Sequence, residues 1–117
     1  MMTLLTMIFL HIVDDYYLQG ILAQMKQKKF WKENAPDEKY KYDYIWALLM
    51  HSFSWAFMVM FPLTFVTAVG PLFYAVFAAN VAIHAYVDHM KANQFKINLW
   101  QDQLAHMAQI VLTFILL

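Results

Sequence analysis

The chain has 117 residues, 62% of them hydrophobic and 18% aromatic, with only 14% charged and a formal net charge of zero. Soluble domains average about a quarter charged residues, and a chain this short leaves much of its surface exposed, so its composition suits lipid as solvent. All eight positive charges are lysines balanced by acids, which gives no basic face for nucleic acid, and the absence of Cys excludes disulfides, thiolate nucleophiles and Cys-type zinc sites.

The opening MMTLLTMIFLHIV is apolar, but it has no positive leading region and no small-residue cleavage site follows, so it reads as mature structure and not as a signal peptide. Four apolar stretches follow one another at residues 1–25, 44–69, 71–90 and 99–117. A spanning helix needs ~20 mostly apolar residues, which the second and third supply outright and the first and fourth supply by tolerating polar positions. Pro62 is expected to kink the second, and Gly70-Pro71 to turn the chain into the third. The loop KQKKFWKENAPDEKYKYD separates the first two stretches and KANQFKIN the last two; together with Lys26 and Lys91 at their edges they hold every lysine. The positive-inside rule then places both loops in the cytoplasm and both termini outside, with Trp31, Trp46, Trp100, Tyr42, Tyr44 and Tyr86 forming an interfacial belt. The expected fold is all-α, a single-domain integral membrane four-helix bundle with both termini on the outer side.

Three of these helices carry a His and an Asp four residues apart: His11 with Asp15, His84 with Asp88, and Asp102 with His106; the remaining one contributes His51. Residues at i and i+4 share a helical face, so each pair is a two-ligand unit or a ligand with its orienting carboxylate. At 1.5 Å per residue most of these groups fall roughly 5 to 17 Å from the lysine-bearing end, with His11 deeper. A carboxylate in the bilayer costs on the order of 2.5 to 3.5 kcal/mol on insertion scales, so the set should face inward and meet partners. Asn80, His84, Asp88 and Lys91 continue one polar stripe, and Asp102, His106, Gln109 and Thr113 another, while Gln19 extends the Asp15 face.

A lone intramembrane His is commonly a packing residue, and His89 and Asp14 receive that reading. Three pairs at one depth with a fourth His point instead to a metal site of His11, Asp15, His51, His84, Asp88, Asp102 and His106. Imidazole and carboxylate suit zinc, iron, nickel or manganese, with zinc placed first as the divalent cofactor. Seven groups exceed one tetrahedral site, so either two ions are held or some Asp orient the imidazoles.

The segments HIVDDYYLQ, HAYVDHMK and DQLAH, with a lone His in the second helix, resemble the small bacterial and phage membrane proteins catalogued as domain of unknown function 3307. The resemblance runs over nearly the whole chain and implies an architecture and a set of polar positions without a reaction: His11, Asp15, Gln19, His51, His84, Asp88, Lys91, Asp102, Gln103 and His106. It also implies a bacterial or phage source, and hence a bacterial inner membrane.

The leading functional expectation is a metal-dependent hydrolase at the cytoplasmic membrane surface, with Lys91, Gln19 and Gln103 binding a lipid-linked or headgroup phosphate. A proton or divalent-ion relay, a non-catalytic phage or bacterial membrane module with a structural polar core, and a bis-His haem site are the alternatives. The nearly featureless outer segments MMTLLTM and IVLTFILL weigh against transport. A homo-oligomer is compatible with every one of these readings.

Overall fold

The computed structural model describes all 117 residues and is entirely helical. Four longer helices, α1 (Met2–Val13), α4 (Asp43–Met60), α5 (Pro71–Ala92) and α6 (Leu99–Leu116), are joined by two short ones, α2 (Leu22–Met25) and α3 (Lys28–Asn34). One helical segment, Glu38–Phe65, is long and apolar enough to cross a membrane. α4 is the hub: it packs most extensively on α5 and also touches α1, α2 and α3, while α6 closes against α1 and α5.

The ends of the helices follow local chemistry. α4 stops at Met60 because Pro62 lacks the N–H that a further turn requires, and Phe61–Phe65 tightens into a 3-10 turn. Pro71 opens α5 in the first turn, where its missing N–H costs nothing. α6 begins with a reciprocal cap: Gln101 N donates to Asn98 Oδ1 at 2.9 Å, and Asn98 N donates to Gln101 Oε1 at 3.0 Å.

Residues 1–25 form a broken path where the sequence suggests one helix. After Val13 the coil widens into a π-helical turn over Asp14–Leu18, and the chain then turns at Gly20, whose φ is +55°. A Cβ at Gly20 would meet only Leu18 O at 3.9 Å, so Gly20→Ala is resisted by the backbone and not by crowding. The left-handed conformation costs an L-residue about 1–2 kcal/mol, and the substitution is expected to lower the Tm of the purified protein accordingly.

The interior divides in two. Met7, Trp55, Ala56, Val59, Met60, Leu63, Phe73 and Ile110 form an apolar cluster. At the end of the chain Thr67 Oγ1 donates to Leu117 O at 3.4 Å, tying the C-terminus to the turn after α4. Nearer the lysine-bearing loops the core becomes polar, and of 24 buried residues half are polar or charged. The outward faces carry the reverse: Phe9, Ile45, Phe53, Phe57, Leu104, Leu112 and Ile115 are all exposed.

Candidate metal centre

The wide turn after α1 sets two adjacent carboxylates against α4. Asp14 and Asp15 both reach His51: Asp14 Oδ2 lies 3.7 Å from Nδ1, and Asp15 Oδ1 lies 3.3 Å from Nε2. Neighbouring residues on a regular helix point about 100° apart, so one imidazole could not ordinarily meet both; π turns recur at functional sites for such re-aiming. Asp14, read from sequence as a packing residue, is 1% exposed, and its Oδ1 accepts a 2.6 Å hydrogen bond from Ser54 Oγ.

α5 brings His84 and Asp88 to the same point. His51 Nε2 faces His84 Nε2 at 3.1 Å and Asp88 Oδ2 at 3.3 Å, and His84 Nε2 lies 3.6 Å from that oxygen. Ligand atoms around a tetrahedral ion bound at 2.0–2.2 Å lie roughly 3.3 to 3.6 Å from one another, so these spacings fit a common centre. Asp15, His51 and His84 form one group able to hold a metal ion, and His84, Asp88 and His106 form another that overlaps it. Asp15 Oδ1 is buried without a hydrogen-bond partner, as is Asp102 Oδ1. Unsatisfied buried carboxylate oxygens are costly, which is what a cation-ready site requires and an apolar core does not tolerate.

α6 supplies Asp102 and His106. His106 Nε2 faces Asp88 Oδ1 at 3.1 Å and Asp102 Oδ1 at 3.4 Å. Its other nitrogen is fixed through a chain of amides. Asn80 Nδ2 donates to Thr113 Oγ1 at 2.7 Å, Gln109 Nε2 donates to Asn80 Oδ1 at 3.1 Å, and Gln109 Oε1 therefore faces His106 Nδ1 at 3.1 Å. An amide oxygen accepts only, so Nδ1 carries the proton and Nε2 is presented to the carboxylates. The ring stacks on His84, centroids 4.0 Å apart, and His84 stacks on Trp55 at 4.3 Å.

His11 lies in the same polar core but outside both ion-holding groups. The Trp55 indole, a donor only, gives its N–H to His11 Nδ1 at 2.7 Å, so His11 Nε2 holds the proton and donates to Gln103 Oε1 at 3.0 Å. Both of its nitrogens are thereby engaged. Asp102 likewise stands apart from the two groups: its Oδ2 accepts from Gln103 Nε2 at 2.9 Å and from Lys91 Nζ at 3.3 Å. Gln19 donates to Asp15 O at 3.1 Å, and its Oε1 is buried without a partner. His89 turns away, stacking on Tyr44 with centroids 6.0 Å apart and lying 3.1 Å from the Asn93 amide.

Lys26 is the residue that sequence reasoning missed most clearly. Counted there as a loop charge, it is 6% exposed and its Nζ donates to Asp88 Oδ2 at 2.7 Å. A carboxylate oxygen has two lone pairs, so this bond leaves Asp88 Oδ2 one position for an ion. No family profile, curated protein or solved structure matches this chain.

Proposed function

We propose that the protein is an integral membrane four-helix bundle that holds a divalent metal ion, zinc first among the candidates, between Asp15, His51, His84 and Asp88. Its reaction on this reading is hydrolysis of a lipid-linked or headgroup phosphate at the cytoplasmic face of a bacterial membrane. The observation that carries the metal is the facing pair of imidazoles, with Nε2 atoms 3.1 Å apart and carboxylate oxygens on their flanks. Two such nitrogens can share one proton; a cation between them satisfies both lone pairs and the unpartnered Asp15 oxygen together.

The inverted distribution of side chains supports the membrane setting, since apolar groups face outward while His and Asp are enclosed. When bound, the ion supplies a Lewis acid able to polarise a phosphoryl oxygen and to acidify water. The chain's own groups do the rest. Asp14, held by Ser54, places its charge 3.7 Å from His51 Nδ1 without a hydrogen bond to it, and so acts on the imidazole through charge alone. Trp55 seals the floor, and Asp15, at 10% side-chain exposure, is the most open of the four ligands. Lys91, a third exposed, offers a cationic contact at the rim beside Asp102.

A relay is the second reading, favoured by the buried Gln109, Asn80 and Thr113, which continue the polar seam beyond His106. Amides do not readily pass protons, so this thread suits positioning better than conduction. Elemental analysis of the detergent-purified protein tests the proposal. About one divalent ion per chain, lost on chelation, is expected; protein that takes up no ion from a zinc, iron, nickel or manganese solution would refute it.

A further inference from the structure

Beyond the polar core lies a cavity of about 390 Å3, between α3 and the start of α4, lined among others by Lys28, Trp31, Lys32, Tyr40, Lys41 and Tyr44. Its volume falls within the usual range of small-molecule sites. Trp31 and Tyr40 stack as one wall at 6.5 Å, and Lys28 Nζ stands 5.2 Å over the centre of the Tyr44 ring. Of the acids in its lining, Glu38 Oε1 accepts from Lys41 Nζ at 3.1 Å and Asp37 Oδ1 caps Lys39 N at 3.2 Å, so Lys28, Lys32 and Lys41 leave the lining with an excess of positive charge over Asp37 and Glu38. Lys29 pairs with Glu33 at 3.8 Å. Lys28 and Lys32 have no carboxylate partner, and at i and i+4 of one short helix they share a face, where like charges repel. A bound anion reverses the sign of that interaction.

The cavity is held in place. Trp31 Nε1 donates to Met25 O at 2.7 Å, while Asn93 at the end of α5 accepts from Lys28 N at 2.6 Å and donates to Lys26 O at 2.9 Å. The segment that carries Lys26 into the core therefore also positions Lys28 at the cavity. We infer that this cavity is a binding site for a phosphate-bearing lipid headgroup, with Lys28 and Lys32 holding the phosphate and Trp31, Tyr40 and Tyr44 flanking the glycerol and ester portion. The lipid source rests on the membrane reading; the anion chemistry does not.

The test is lysine footprinting of the full chain in detergent: reductive methylation rates at individual lysines, read by peptide mass spectrometry, with short-chain phosphatidylglycerol, short-chain phosphatidylcholine or inorganic phosphate added. Phosphatidylglycerol should slow Lys28 and Lys32 severalfold while leaving Lys29 and Lys39 unchanged, and phosphatidylcholine should protect weakly. In Lys28→Gln, protection of Lys32 should require roughly tenfold more phosphatidylglycerol, the loss of one charge-assisted contact. Its metal content should be unaltered. Equal protection by inorganic phosphate would overturn the lipid source and keep an anion site; no protection by either anion, or uniform slowing of all lysines, would overturn the site itself. Whether the same material needs detergent to stay in solution tests embedding separately.

Discussion

Replacing His84 with Ala is expected to abolish metal binding, whereas His89→Ala should leave the stoichiometry of the parent. His84 contributes its Nε2 3.1 Å from that of His51, and it belongs to both groups able to hold an ion. Its loss removes a ligand outright. His89 follows Asp88 directly, so it is turned about 100° round α5, and its ring lies against Tyr44. Because His84 is sandwiched between Trp55 and His106, the Ala variant also leaves a void. His84→Gln fills more of that space with a poor metal ligand, and folded His84→Gln protein without metal separates ligation from packing. Asp14→Asn, by contrast, should weaken affinity without abolishing it, since its carboxylate is not a ligand and stands 3.7 Å from His51 Nδ1. Equilibrium competition with a chromophoric chelator reads all four variants. Metal retained at full affinity in His84→Ala and His84→Gln would move the centre elsewhere.

The helical pattern and the polar stripes were legible because both depend on spacing along one helix. His84 with Asp88 and Asp102 with His106 needed only the i, i+4 rule to be placed on one face, and the cost of an unpartnered Asp in an apolar setting turned those faces inward. What was not legible depends on departures from regular helix or on contacts distant in the chain. The π turn over Asp14–Leu18 brings Asp14 inward, a rotation no 3.6-residue pattern contains. The chain then turns at Gly20, and Lys26, which by charge alone belongs to the loop, reaches Asp88, 62 positions away. The engagement of both His11 nitrogens depends on where the Trp55 indole points, 44 positions away, which no spacing along one helix contains.

Asp88→Asn should be the most destabilising single substitution in the polar core, by about 3–5 kcal/mol, because it strands a buried ammonium. Lys26 Nζ is 2.7 Å from Asp88 Oδ2 with side-chain exposures of 8% and 3%, so water cannot take over as its counter-charge. The same carboxylate also faces His51, His84 and His106 within 3.6 Å, so its charge is used by several neighbours at once. Asparagine preserves the shape and one acceptor while removing the charge and turning the other oxygen into an N–H donor. The companion variant Lys26→Met removes the ammonium and leaves Asp88 facing imidazoles only. If the Lys26–Asp88 pair is the principal counter-charge, the double variant should recover a large part of the stability lost in Asp88→Asn, giving a coupling of at least about 1 kcal/mol in a double-mutant cycle. Lys26→Met alone should leave metal binding intact or tighten it, since one competitor for Asp88 Oδ2 is gone. Thermal unfolding in detergent, with and without added metal, measures each corner of the cycle. Additive losses would show that Lys26 and Asp88 act independently, and weaker metal binding in Lys26→Met would show that the ammonium holds Asp88 in place for the ion and does not compete with it.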